Sequence, residues 1–288
     1  MAQTRQPLSR QSLADVTDRA RLALGKSVSR ATVWRILDSD AIKPWQYRYW
    51  IFPRDPHFVE KAGPILDLYA GRWQGQPLGP RDHILSADEK TSIQARARIH
   101  PPLACGPGQP ARVEPEYRRG GAWQYLAAWD VRRGYVMGRC EPKTGIAPFG
   151  RLVEQVLAQE PYCSGERLFW VVDNGSSHRG IAAARRLHGM DARIILVHTP
   201  VHASWLNQVE IYFSIIQRKV LTPNDFADLE ALRWRLTLYE ELSNRNPKPF
   251  AWKFDRVKLA AMMAKIEAHE KLLAQAQQRD TPQEASQP

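Results

Sequence analysis

Apolar residues change their period several times along the chain, and each change marks an element. Leu13, Val16, Ala20, Ala23 and Leu24 recur at helical spacing, as do Val33, Ile36 and Leu37 after Ser29, with the turn Gly25-Lys26-Ser27-Val28 between them. Two helices, a short turn holding glycine and a Ser cap on the second helix outline a helix-turn-helix, whose second helix would enter a DNA major groove. Arg30, Thr32 and Arg35 would then face DNA; a plain helical hairpin has the same outline. Ile42 to Phe52, with Lys43, Trp45, Arg48 and Trp50, is either a basic aromatic extension of that surface or a loop whose rings close a small core. Phe58 to Tyr69 is helical, and the Gly- and Pro-rich run from Gly75 to Pro80 predicts a domain boundary.

Beyond that link the pattern becomes extended. Ile84 to Ile99 predicts a strand, Trp123 to Met137 a hairpin turning at Arg132-Arg133-Gly134, and His100 to Gly121 a long surface excursion between them. Phe149, Leu152, Val153, Val156 and Leu157 form one apolar helical face. Leu168 to Val172 is uniformly apolar, as a strand buried on both faces should be. A short helix, Ile181 to Leu187, and a strand, Arg193 to Val197, complete a β-α-β unit with a right-handed crossover. Asn207 to Leu221 and Arg256 to about Gln278 predict further helices, and the last ten residues read as a polar, disordered tail. The fold class is α/β: a mixed sheet flanked by helices, preceded by a small all-α region. The expected divisions are 1–57, 58–82, 83–255 and 256–288.

The 288 residues carry a formal charge of +11, which attracts polyanions, DNA being the commonest large one. Residues 1–35 alone hold seven Arg or Lys against two Asp. Cys105, Cys140 and Cys163 lie far apart with no CxxC pair, which excludes a zinc ribbon and an even disulfide framework and fits a reducing, cytoplasmic setting. No stretch approaches the roughly 18 apolar residues of a membrane span, and the first ten residues lack the core of a signal peptide.

Three carboxylates carry the candidate chemistry. Asp88 lies in the first strand, Asp173 directly follows the apolar strand, and Glu210 stands in the helix after the last strand. Ligands of open α/β sheets gather beyond the carboxyl ends of strands. Hard oxygen donors on separate elements suit Mg²⁺, and two such ions can activate an attacking oxygen and stabilise a leaving one at phosphorus. Glu210 has a second reading: Asn207-Gln208-Val209-Glu210 has the spacing of a capping box. Glu89, beside Asp88, points to the opposite face of a strand.

Val172-Asp173-Asn174-Gly175-Ser176-Ser177-His178 resembles the second-acid motif of IS630-type transposases in the Tc1/mariner superfamily. Thr199 to Glu210, ending Leu206-Asn207-Gln208-Val209-Glu210, resembles the loop that leads into that family's third acid, and Ser86-Ala87-Asp88-Glu89-Lys90-Thr91 its first-acid strand. The resemblance covers residues 84 to about 255. It implies an RNase H-like fold, with Asp88, Asp173 and Glu210 as catalytic ligands of two Mg²⁺ or Mn²⁺ ions. It further implies cleavage at transposon inverted repeats, strand transfer into target DNA at TA, and a homodimer in the active complex. Asn174 belongs to the second-acid motif. Asn207, one turn before Glu210, would bond a metal-bound water or a phosphate, and His178 would contact the scissile phosphate or pack as a loop histidine beside Trp170.

Family members commonly carry another helix-turn-helix upstream, so an end-recognition module is expected to be missing here. Two other readings stay open: a DNA-binding regulator whose catalytic domain is inactive, and a non-transposing nuclease of the same fold.

Overall fold

The computed structural model describes residues 11–39, 51–175 and 180–279. The chain forms two compact units, Met1–Phe52 and Pro53–Pro288. The division therefore falls at residue 52, and the segment 58–82 belongs to the second unit. Lys43, Arg48 and His178 lie outside the described residues.

In the first unit α1 (Leu13–Leu24) and α2 (Arg30–Ser39) are joined by a short turn. Ser12 caps α1 in a full capping box with Asp15, and Gly25, at φ 61°, ends it in the left-handed conformation that glycine adopts without a Cβ penalty. Arg21 Nε donates to Val28 O at 2.9 Å and closes the turn. The Ser29 hydroxyl accepts from Thr32 N at 3.0 Å, so the expected cap is present and Thr32 lies against it. Arg30 and Arg35 are exposed. The expected apolar side is not buried within this unit: among its described residues only Thr17 and Val33 are buried, while Leu24 and Ile36 stand in the open.

The second unit contains α3 (Phe58–Tyr69), a two-strand hairpin of β1 (Arg72–Trp73) and β2 (Gln76–Pro77), then β3 (Asp82–Arg98), β4 (Tyr117–Asp130) and β5 (Tyr135–Glu141). There follow α4 (Ile146–Leu157), β6 (Arg167–Val172), α5 (Gly180–Met190), β7 (Ile194–His198), α6 (Val209–Lys219), α7 (Leu229–Asn244) and α8 (Arg256–Arg279). The Gly-rich link thus builds the β1–β2 hairpin rather than a boundary. Five strands form one sheet in the order β5-β4-β3-β6-β7, antiparallel across β5, β4 and β3 and parallel across β3, β6 and β7. This is the mixed α/β sheet that the pattern predicts.

Helices cover both faces. Leu85, Ala87, Leu126, Trp170 and Val172 pack on Phe149, Leu152, Val153 and Val156 of α4 and Leu187 of α5. On the other face Ile84, Tyr125, Trp129, Phe169 and Val171 meet Phe213 and Ile216 of α6 and Leu232 and Leu236 of α7. A third cluster joins Phe58 and Leu66 of α3 to Leu206 and to Leu259 of α8. α7 escapes the sequence pattern because only Leu232 and Leu236 of its sixteen residues are buried, too few to set a helical stripe.

Strand β3 changes hands part-way. Up to Lys90 its even positions face α6; the register with β4 then slips by one residue between Lys90 and Ile93, and Ile93 and Ala95 take over that face. The extra residue is a β-bulge, with Ser92 at φ 54°. The excursion expected at His100 to Gly121 is shorter, residues 99–116, because β4 already begins at Tyr117, and it is pinned by the bridges Leu103↔Arg112 and Gly106↔Gln109. No helix among the described residues is long and apolar enough to cross a membrane.

Candidate active site

The first two acids are brought level by the parallel pairing of β3 with β6. Their last paired residues are Ser86 and Val171, and Asp88 and Asp173 each come two positions later. Asp88 shares a strand face with Ile84 and Ser86, the face that α6 covers, whereas Leu85 and Ala87 belong to the α4 side. Asp173 Oδ1 accepts from Gly175 N at 2.7 Å, which turns the chain away from the sheet. Asn174 Nδ2 donates to Thr199 O at 2.8 Å, and Thr199 N to Val172 O at 2.8 Å, so the exits of β6 and β7 are tied together below Asp173.

The third acid is placed by the same strand. The Ser86 hydroxyl donates to Asn207 Oδ1 and accepts from Val209 N at 2.8 Å, while Asn207 Nδ2 donates to Ala87 O at 2.9 Å. Tyr69 of α3 adds a bond from its hydroxyl to Leu206 O at 2.8 Å. Ser86 is two residues from Asp88 on one face of β3, and Val209 is next to Glu210. The distance between first and third acids is thereby set through three buried hydrogen bonds.

This network overturns the capping-box reading. α6 starts at Val209, its cap position is Gln208 with no side-chain cap bond, and a short 3-10 turn, Ser204–Leu206, precedes it. Asn207 is fully buried with both side-chain ends bonded to β3. It cannot reach a metal-bound water or a phosphate, and it acts instead as the peg that seats Glu210.

Electrostatics single out the cluster. Asp88 is 8% exposed, and burial, followed by the charges of Asp173, Glu210 and Glu89, pushes its carboxyl up to about 8. Its Oδ1 accepts from Glu89 N at 2.7 Å, a bond that opposes the rise. Glu210 is also raised, chiefly by burial, with Lys90 pulling it down and Asp173 pushing it up. Among the described residues no three His, Cys, Asp or Glu side chains are drawn together tightly enough to enclose an ion. The donor set nevertheless fits a hard divalent cation: three carboxylates on three elements, with Asp173 raising both Asp88 and Glu210. A cleft of about 340 Å³ adjoins Asp173, lined by Asn174, Thr199, Pro200, His202 and Ser204.

Residues 83–233 match the family model of the DDE superfamily endonuclease, over half of the chain. The chain belongs to the DDE superfamily endonucleases. Its fold is similar to that of solved Mos1 structures. The mariner Mos1 paired-end complex with Mg aligns with a TM-score of 0.54 and 16% identity over 86% of this chain and 76% of that one. The Mos1 transposase paired-end complex with the left transposon end gives 0.53 and 18% over 96% and 81%. The Mos1 mariner complex with Mn gives 0.52 and 14% over 85% and 75%. No curated protein sequence matches the chain.

Within this endonuclease domain the structure gathers Asp88, Asp173, Asn174 and Glu210 at one sheet end. Arg30, Thr32 and Arg35 lie in the other unit. Ser86 and Lys90 escaped the sequence reading. The signal was available, because both are two positions from Asp88 and fall on its strand face.

Proposed function

We propose that the chain is a DNA transposase of the Tc1/mariner type, of the IS630 kind, that cuts at transposon ends and joins them to target DNA at TA. The observation that carries the reading is the convergence of Asp88, Asp173 and Glu210 from three elements at the carboxyl end of the β3–β6 pair, where burial, followed by the charges of Asp173 and Glu210, raises Asp88 to about 8. The family match and the likeness to Mos1 complexes with transposon ends, Mg and Mn support it. Asp88, Asp173 and Glu210 would hold two Mg²⁺ or Mn²⁺ ions. When bound, these ions sharpen an attacking oxygen and stabilise the leaving oxygen of an in-line displacement.

The residues of the chain do the positioning. Asn174 fixes the exit that bears Asp173, and Asn207 with Ser86 fixes Glu210 against Asp88. Water is the nucleophile of the cut: its oxygen bonds to phosphorus, the phosphorus–3′ oxygen bond breaks, and the leaving oxygen becomes a 3′ hydroxyl. In the joining step that hydroxyl's oxygen would bond to a target phosphorus, and the target's own phosphorus–3′ oxygen bond would break. The proton of the attacking hydroxyl would pass to solvent and the leaving oxygen would end as a target 3′ hydroxyl, and no side chain becomes covalently linked. The cationic second helix, with Arg30 and Arg35, would hold the inverted repeats, and a homodimer would pair the two ends.

The test is strand transfer with pre-cleaved inverted-repeat ends in Mg²⁺. Ends joined to target support the transposase. Nicking without joining assigns a simple nuclease, and DNA retention with neither product assigns a regulator.

A further inference from the structure

Strand β3 continues ten residues beyond Asp88, and its outer half is the floor of a groove of about 550 Å³. The loop Thr222-Pro223-Asn224 and residues 113–115 form the walls. The groove begins at Lys90, whose charge reaches Glu210. From there to Arg96 and Arg98 it follows the strand; the eight steps from Asp88 to Arg96 span roughly 26 Å at the usual rise. That is the length of about seven or eight steps of a DNA duplex, whose phosphates repeat every ~3.4 Å per strand.

The cations along it differ in what they are free to do. Arg98 belongs to the scaffold: its Nη1 donates to Glu114 O at 2.7 Å and its Nε to Asn224 O at 3.0 Å, which pins the two walls. Arg96 uses its Nε on Gln94, and the Lys90 side chain makes no hydrogen bond or ion pair among the described residues, while its charge acts on Glu210. The acid on the wall, Glu114, is occupied by His100 through its backbone N at 2.7 Å and its ring at 2.8 Å. No lining residue is aromatic, and the ring of Tyr117 lies under Arg96 at 4.5 Å and Arg98 at 5.5 Å. A single strand bound by base stacking needs exposed rings. The amides of Asn224, Gln94 and Gln217 are spent within the groove, so a groove that offers the cationic ends of Lys90 and Arg96 and no ring suits phosphates instead.

We propose that this groove holds, by its phosphates alone, the double-stranded DNA next to the reacting phosphodiester, whatever its sequence. The inference rests on the transposase reading and adds to it the path of the DNA, from Asp88 past Lys90 to Arg96. DNA of arbitrary sequence is what an enzyme meets on the target side of its reaction.

The test uses the full chain and 30-base-pair duplexes of random, AT-rich and GC-rich sequence, titrated at several salt concentrations. Lys90→Gln with Arg96→Gln is expected to lower the slope of log affinity against log salt by about 2, and affinity about tenfold, equally for all three duplexes. Lys90→Gln alone removes a side chain with no internal bond and is expected to lower the slope by about 1, which guards against misfolding of the double variant. In a Cys105→Ser, Cys163→Ser background, Ser92→Cys bearing a photocrosslinker is expected to label duplex DNA. Unchanged slopes, no crosslink, or losses that differ between the duplexes overturn the proposal. Asp173→Asn keeps the two readings apart. If it still cuts, the transposase reading fails; if the wild type joins ends while the Lys90 and Arg96 variants bind with unaltered slopes, only the groove fails.

Discussion

Aspartates are buried at both ends of the central sheet, and the two ends treat them in opposite ways. At the amino end of β3, Asp82 accepts from Arg167 Nε at 2.8 Å and from Gly79 N at 2.7 Å, and the Arg167 bond holds its carboxyl below the usual range. Beside it Asp130 accepts from the backbone N of Arg132 and of Arg133 and from the Tyr162 hydroxyl, each at 2.9 Å. At the carboxyl end Asp88 faces two more carboxylates and is pushed up to about 8. Burial alone therefore does not mark a functional acid. What marks Asp88 is burial beside like charges where Asp82 has an arginine, an arrangement that weakens the fold and suits a bound cation.

Changing the acids tests that contrast most severely. Asp88→Asn, Asp173→Asn or Glu210→Gln should reduce cutting of end-bearing DNA below detection in Mg²⁺ while duplex retention in a gel persists, because the basic surface is untouched. Normal cutting by Glu210→Gln would remove the third acid from the site. At the opposite end the loss should be structural. Asp82→Ala is expected to cost about 3 kcal/mol in urea unfolding, at the low end for breaking a buried pair, since Arg167 keeps contact with water. A cost near zero would mean that the paired end contributes little.

Smaller shifts sharpen the comparison. In a chelator above pH 8, where Asp88 is ionised, Asp88→Asn should melt higher than the wild type because it removes one of the mutually repelling charges, and Mg²⁺ or Mn²⁺ should raise the wild type's melting temperature more than the variant's. Glu240 of α7 gives the smallest effect. It accepts from Gly138 N at 3.1 Å and the Tyr125 hydroxyl at 3.1 Å, yet burial raises its carboxyl from 4.5 to about 7. A group raised in the folded state contributes stability that is complete below 4.5 and is lost as pH climbs through about 7. Glu240→Gln should accordingly flatten the fall in stability between pH 5 and pH 8; an unchanged slope in urea titrations would assign that fall elsewhere.

The elements that were legible in the sequence are those whose burial writes a period. Phe149, Leu152, Val153 and Val156 predict α4, the apolar run 168–172 predicts β6, and Asp173 follows from that strand's end. The turn at Arg132-Arg133-Gly134 appears where expected, with Asp130 accepting both arginine amides. What stayed hidden depends on contacts far apart in the chain. Asn207 has the spacing of a cap, and only the approach of Ser86 and Ala87, more than a hundred residues away, shows that its side chain is bonded elsewhere. The bulge at Ser92 was equally silent, because one extra residue alters parity without altering composition. α7 carried too few buried positions to be read at all.

That bulge joins two lengths of strand with a half-step offset, like two rulers butted out of register. The inner length measures the acids, since it fixes Ser86 and Asp88 against α6. The outer length forms the groove. Because the offset absorbs the mismatch, residues could be added to or removed from the outer length in pairs without shifting the inner one. A single deletion at Ser92 would instead run one parity through the whole strand and exchange buried Ile93 and Ala95 with their half-buried polar neighbours Gln94 and Arg96. The strand is thus two separately adjustable parts, one for chemistry and one for its surroundings.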